Sequence, residues 1–394
     1  MNHPKYEIAQ IIEQFGNEFN QKHKPNTWIL RTLNALRICR TSALGGHKEQ
    51  CDNCGKIRIS YNSCRNRHCP KCQASKQAFW VEDVSKRIMD TKYFHIVFTV
   101  PEELNVICLL NSKLFYKTLF SSVWQTLHTF GYTHYGVESG TVAILHTWGQ
   151  NLSLHPHIHC LVPAAGISLS GHIKKISKKG KYLYPVKKLS ADFRSMMMKN
   201  LKKQLSNSNR LPEYQSIIDS AWAKNWVVFS QPSFSDAEHV IKYLGQYTNR
   251  VAISNQRIQN VDAKNVSFYY KDYRDRGKRK LNTLTGVEFL RRFSMHILPK
   301  GFVKIRYYGI LSNRFSNKMA MYRKPQAKKN AETPQQRFLR LSGFDICQCP
   351  YCKKGRMHTI EVLPRIRSPI KFLNPKQKIL KYRKQTIKTL AKTG

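Results

Sequence analysis

The run Leu154-His155-Pro156-His157-Ile158-His159-Cys160-Leu161-Val162 decides how this chain is read. Successive side chains of a β-strand point to opposite faces, so His157 and His159 share one face while Ile158 enters the opposite layer. Upstream, Ala143-Ile144-Leu145-His146-Thr147-Trp148 reads as a second strand, and Gly149, Gln150, Asn151 and Ser153 make a connection short enough for antiparallel pairing. That pairing brings His146 beside His157 and His159. Three convergent neutral imidazoles bind a divalent cation and leave coordination positions open, as a catalytic rather than a structural site requires. The competing reading is a histidine-rich strand with solvated or hydrogen-bonded rings, and the triple at this spacing weighs against it.

The charge of the chain points to a polyanionic partner. With 394 residues, 41% of them hydrophobic, it can bury cores for two or three domains. Lys and Arg number 67 against 23 Asp and Glu, a formal net charge of +44, which solubility alone does not require. Such a field attracts phosphate backbones. No long apolar span, amphipathic anchor or lipidation signal favours a membrane, so nucleic acid is the expected partner. Met1-Asn2-His3-Pro4-Lys5-Tyr6-Glu7 lacks the basic start and apolar core of a secretory signal, and a cytoplasmic, nucleoid-associated location is expected.

Eleven cysteines in a reducing compartment argue for metal rather than disulfides. Cys51-Asp52-Asn53-Cys54 and Cys69-Pro70-Lys71-Cys72 form two C-x2-C turns, each able to aim two thiolates at one tetrahedral ion. A structural Zn2+ held by Cys51, Cys54, Cys69 and Cys72 is the first expectation, with Cys64 or His68 as a replacement ligand. Arg58, Arg65, Arg67, Lys71 and Lys76 surround the ribbon and suggest phosphate contact. Far downstream, Cys347, Cys349, Cys352 and His358 offer an irregular second set.

Residues from about Tyr6 to Leu44 show helical spacing, with Ile8, Ile11, Ile12 and Phe15 on one stripe and Trp28, Leu30, Leu33, Leu36 and Ile38 on another. From Tyr93 the pattern turns to strands: Tyr93 to Val100, the two histidine strands, Trp226 to Ser230, and Val266 to Tyr270. Helical stretches near 113 to 130, 190 to 206 and 235 to 249 separate them. The order predicts an α+β fold, an antiparallel sheet with helices on one face, preceded by a helical and zinc-ribbon domain.

Ser235-Asp236-Ala237-Glu238 is a capping box, and the helix it opens carries Tyr243 and Tyr247 one turn apart on one face. Both tyrosines could simply be core, since Val240 and Leu244 share that face. Beside a metal-binding histidine strand, however, a phenolate is a competent nucleophile toward a phosphodiester. The phosphotyrosine product keeps the diester linkage, so rejoining needs no ATP. Two such residues allow one strand to be held while another is cut.

Cys39 to His47, Tyr61 to Cys72, His155 to His159, Tyr243 to Ser254 and Arg291 to Phe302 together resemble the insertion-sequence ninety-one family of rolling-circle transposases, in order along roughly residues 5 to 315. The resemblance implies an N-terminal zinc-binding domain followed by a His-hydrophobic-His (HUH) endonuclease core with paired tyrosines, acting on single-stranded DNA with Mg2+ or Mn2+. It makes His157 and His159 metal ligands and Tyr243 and Tyr247 nucleophiles. His146 is similarly placed to the third histidine of conjugative relaxases, with Gln246 and His239 as competitors. The expected divisions are 1–92, 93–320 for the nuclease, and a basic 321–394 tail. Arg65, Arg67, Lys174, Lys175, Lys178, Lys179 and Arg250 are the expected DNA contacts, with Tyr182 or Tyr184 stacking on a base and a further basic cluster from Lys271 to Lys280. A replication-initiator or mobilisation nickase, and a non-catalytic zinc-dependent DNA-binding protein, are the alternatives.

Overall fold

The computed structural model describes residues 4–73, 76–85, 88–89, 91–176, 183–231, 245, 251–315, 317 and 332–365. The strands are β1 (Gly46–Cys51), β2 (Ile57–Tyr61), β3 (Tyr93–Thr99), β4 (Val137–Glu138), β5 (Gly140–Trp148), β6 (Leu154–Pro163), β7 (Ala165–Ser168), β8 (Ile173–Lys175), β9 (Val228–Ser230), β10 (Ile258–Val261), β11 (Asn265–Asp272), β12 (Lys278–Thr285), β13 (Ile305–Gly309) and β14 (Met357–Leu363). The helices used below are α1 (Ile8–His23), α2 (Thr27–Arg37), α3 (Pro70–Gln73), α4 (Lys76–Ser85), α5 (Asn105–Leu110), α6 (Ser112–Tyr135), α7 (Val186–Ser206) and α8 (Leu211–Ala223), followed by Gly286–Met295 and Pro334–Ser342. Helix and antiparallel sheet are mixed, an α+β fold. Among the described residues no helix is long and apolar enough to cross a membrane.

A five-stranded antiparallel sheet in the order β13-β5-β6-β3-β9 forms the centre. Phe94, Ile96 and Phe98 of β3, Ile158, Cys160 and Val162 of β6, and Ala143 and Leu145 of β5 fill one face and pack against apolar residues of α6 and α7. The other face is divided. Tyr93, Val142, Ile144 and Leu161 lie under Val84 and Trp80 of α4, and beyond them the same face carries the histidines. Helices therefore cover both sides rather than the single side expected, and β3 and β6 are accordingly buried at nearly every position. Val266 to Tyr270 also departs from expectation: it belongs to a separate sheet, β10-β11-β12.

The N-terminal helices complete a second core with that separate sheet. Ile8, Ile11, Ile12, Phe15 and Phe19 of α1 meet Ile258, Val266, Phe268, Phe289, Leu290 and Phe293. Glu7 and Gln10 form a reciprocal capping box that starts α1, and Lys24 in the left-handed region ends it. The contact with helix Gly286–Met295 is tight enough to require glycine: a Cβ on Gly286 would stand 2.2 Å from the Phe15 ring. Cys39, Cys69 and Cys72 are part of this core, so the cysteine-rich segment is built into the molecule.

The C-terminal segment returns to the N-terminus. β14 pairs with β1 from Gly46↔Leu363 to Cys51↔Met357, giving a sheet in the order β14-β1-β2. Helix Pro334–Ser342 lies on α4, where Arg337 reaches Glu82 at 2.7 Å and Asp83 at 2.6 Å and Phe338 meets the Phe79 ring.

Candidate active site and metal centres

β5 and β6 pair so that His146 stands opposite His157 and Ile144 opposite His159, which puts all three rings on one face. The ladder then slips by one residue between His146 and Trp148, where Thr147 faces both His155 and Pro156. Pro156 cannot donate to a ladder, and a bulge accommodates it. One candidate ligand nitrogen from each of His146, His157 and His159 lies within 4.8 Å of the others. The ring centroids are 4.5 Å apart for His146 and His159 and 4.9 Å for His157 and His159.

The hydrogen bonds around the cluster select which nitrogen faces the centre. His157 donates through Nδ1 to the His155 carbonyl at 2.7 Å, leaving its Nε2 lone pair for a ligand. His95, on β3, holds His159 in a chain: its Nδ1 donates to Gln231 Oε1 at 3.1 Å, and its Nε2 then accepts from His159 Nδ1 at 2.9 Å. That leaves Nε2 of His159 as the ligating atom. Burial pushes His157 and His95 down to about 4, so both are neutral near pH 7, the form that binds metal. His95 was not among the expected site residues. Its alternation with Val97 and Thr99 puts it on the histidine face, but only the β3–β6 register makes that visible.

Tyr243, Tyr247, His239, Gln246 and Arg250 lie outside the described residues, as do Lys178, Lys179 and Tyr182. The ends of the tyrosine-bearing segment are described. It begins at Gln231, whose backbone and side chain both bond His95. It ends at Val251, which lines a small cavity with Trp148, and the Trp148 ring stacks on His146 at 4.7 Å.

The cysteines group differently from the expected single site. Cys39, Cys64, Cys69 and Cys72 form one tetrad; Cys51 and Cys54 form another with Cys349 and Cys352. The reason is the length of the β1–β2 hairpin. Cys51 and Cys54 sit at its tip while Cys64 follows its base, and five or six strand residues separate the two ends by roughly 15–20 Å. In the first tetrad Cys39 Sγ lies 3.6 Å from both Cys69 and Cys72, and Cys64 lies 3.6 Å from Cys72. Tetrahedral zinc with bonds of about 2.3 Å sets its sulfurs about 3.8 Å apart, whereas a disulfide needs about 2.05 Å. Backbone N–H groups of Cys64 and Asn66 point at the Cys39 and Cys64 sulfurs, an arrangement suited to thiolates.

Cys64, held above as a replacement, is thus a full member, and His68 instead faces the cavity lined by Arg67, His296 and Lys304. Cys39 was missed because it stands alone, 25 residues before Cys64. Cys347 and His358 stay outside both tetrads; His358 pairs with Asp52 at 3.1 Å.

Several expected DNA contacts serve the fold instead. Arg67 donates to the carbonyls of Pro299 and Phe302, Arg58 pairs with Glu49 and Lys71 with Glu7. Tyr184 is buried against Phe130 and Tyr135 and cannot stack on a base. Arg65, Lys174 and Lys175 are exposed, and so are Tyr273, Arg274, Arg276 and Arg279 on the β11–β12 hairpin.

Comparison with known proteins agrees with this geometry. A family model described as "Putative transposase" matches residues 140–319, and one described as "Transposase zinc-binding domain" matches residues 11–100. The "Putative transposase y4qJ" of Sinorhizobium fredii (strain NBRC 101917 / NGR234) is 40% identical over 389 residues, covering 92% of this chain and 97% of its own. The chain belongs to the insertion-sequence ninety-one family of transposases. The transposase for insertion sequence element IS801 of Pseudomonas savastanoi pv. phaseolicola is 27% identical over 295 residues, 72% of this chain and 70% of its own. No solved structure matches the chain significantly. This transposase is therefore an enzyme that acts on DNA, and its zinc-binding domain and thiol tetrads support structural zinc.

Proposed function

We propose that this transposase nicks and rejoins single-stranded DNA at its element's ends through a 5′-phosphotyrosine, with Tyr243 and Tyr247 as nucleophiles and a divalent cation held by His146, His157 and His159. The carrying observation is the convergence of one ligand nitrogen from each of those three rings within 4.8 Å on one sheet face. Both ends of the tyrosine-bearing segment are tied to the same face, at Gln231 through His95 and at Val251 beside Trp148, which supports the pairing of the two motifs.

Bound there, Mg2+ or Mn2+ would polarise a phosphoryl oxygen and stabilise charge in the transition state; an all-imidazole set favours Mn2+ of the two. The remaining chemistry belongs to the chain. A tyrosine Oη forms a bond to phosphorus as the P–O3′ bond breaks, and the phenolic proton is balanced by the one gained at the released 3′-hydroxyl. The second tyrosine repeats the step on the other strand, so that donor and target are exchanged without ATP. Arg65, Lys174, Lys175 and the β11–β12 hairpin contribute the cationic surface, where exposed Tyr273 can stack on an unpaired base.

The test is a labelled single-stranded oligonucleotide carrying the element's end, incubated with protein and Mn2+. An adduct that survives denaturation and maps to Tyr243 or Tyr247 is expected. A protein that binds the oligonucleotide yet forms no adduct with any terminal sequence of its element would favour a non-catalytic role.

A further inference from the structure

Cys349 and Cys352 lie beyond both matched family regions, yet they meet Cys51 and Cys54 across nearly the whole chain. We propose that Cys51, Cys54, Cys349 and Cys352 form a second zinc centre that clasps the C-terminal arm onto the N-terminal hairpin. Cys51 and Cys352 sulfurs are 3.7 Å apart, as are those of Cys54 and Cys349, close to the edge of a ZnS4 tetrahedron and far from a disulfide. Each half is a C-x2-C turn with an amide aimed at its first or last sulfur: Cys54 N at Cys51 and Gly355 N at Cys352.

The two turns approach so closely that position 355 has no room for a side chain. A Cβ on Gly355 would stand 2.6 Å from Cys51 Sγ and 2.5 Å from Asn53 Cβ. Asp52 closes the contact from its own side, accepting from Arg356 N at 2.7 Å.

Besides the β1–β14 ladder and polar contacts such as those of Asp52 and Arg337, little apolar packing holds the arm there. The apolar cluster at this point has only Cys51, Cys349 and Met357 buried, and β14 leaves Ile360 51% and Val362 68% exposed. A core that small does not order a strand by itself, whereas a tetrathiolate site contributes folding free energy directly. Four thiolates in tetrahedral array select Zn2+ over the oxygen-loving divalent ions. The clasp anchors the chain just ahead of the sequence after Pro364, which carries ten Lys or Arg and no acidic residue.

The experiment uses the full chain. Zinc per protein is measured by elemental analysis for wild type and for Cys349→Ser/Cys352→Ser, with hydrogen exchange at Met357–Leu363 as a second readout. The variant is expected to hold one zinc fewer, keep its helical signal and lose protection in β14 by at least tenfold. Unchanged zinc content, or unchanged protection, overturns the proposal. Should the variant fail to fold, the wild type is titrated with a chelator: an early release of one zinc accompanied by loss of β14 protection is expected, and release in a single phase, or without effect on β14, overturns it. Gly355→Ala keeps every ligand and is expected to speed that early release; release at the wild-type rate counts against the clasp.

Discussion

The histidine face and the first cysteine tetrad both gather metal-binding side chains, but they are assembled by opposite means. His146, His157 and His159 come from neighbouring strands whose register is set by one short connection, and behind them the sheet is already filled with its own apolar side chains. Cys39, Cys64, Cys69 and Cys72 come from a helix end, a loop and a short helix, and Cys39, Cys69 and Cys72 are themselves part of the core they organise. The contrast teaches that a site built on a finished sheet can lose its ligands and keep its fold, whereas a site that substitutes for core cannot.

The largest expected effect tests the first half of that contrast. His157→Ala/His159→Ala removes two ligands without opening the opposite apolar layer. Cleavage of a single-stranded end should fall by about a thousandfold or more, the scale of several kcal/mol of lost transition-state stabilisation. Melting temperature and salt-dependent DNA affinity should stay close to wild type. A double variant that cleaves normally removes the site assignment; one that unfolds removes the contrast.

Cys69→Ser tests the other half. Loss of one thiolate from a buried tetrad weakens both the ion and the core around Phe19, Leu36 and Leu290, and structural zinc contributes several kcal/mol or more to folding. The melting temperature should drop by on the order of 10 °C. A variant that melts like wild type in excess chelator would show the tetrad to be dispensable to the core.

How legible each region was in the sequence follows from the same difference. Alternation along Leu154 to Val162 and the short turn before it are local signals, so the shared face of the histidines could be read directly, as could the α+β class and the family. Cysteine pairing depended on how far a five-residue strand carries a hairpin tip, and on a C-terminal arm that reaches back to β1. Nothing near Cys51 in the chain announces Cys349. Arg67 and Tyr184 misled for a related reason: a basic or aromatic residue in a polar stretch looks solvent-facing until a distant carbonyl or ring covers it. His95 was hidden because it sits in a strand that reads as pure core.

His95 offers a finer test, because it acts on His159 and not on DNA. Replacing it with Ala removes the acceptor that fixes His159 with Nε2 toward the ion, and partners of this kind are worth about 10- to 100-fold in metal affinity or activity. The Mn2+ concentration for half-maximal cleavage should rise by that factor while the rate at saturating Mn2+ largely recovers. Gln231→Ala should show the same split more weakly. A fall in the saturated rate with no change in Mn2+ requirement would mean that His95 supports the fold and not the ligand.

The smallest effect concerns His296, which joins the two regions. Its Nε2 donates to the Leu152 carbonyl at 3.2 Å and its Nδ1 accepts from Thr147, beside the bulge that follows His146. Burial holds its pKa down at about 4, against 6.5 when unfolded. The unfolded chain therefore takes up a proton first as pH falls, so stability from this group is complete above about pH 6.5 and declines between 6.5 and 4 by about 1.4 kcal/mol per pH unit. Denaturation midpoints measured across that window should fall less steeply in His296→Gln than in wild type. Equal slopes would mean that the ring is protonated in the folded protein too, and the neutral link between bulge and core would have to be abandoned.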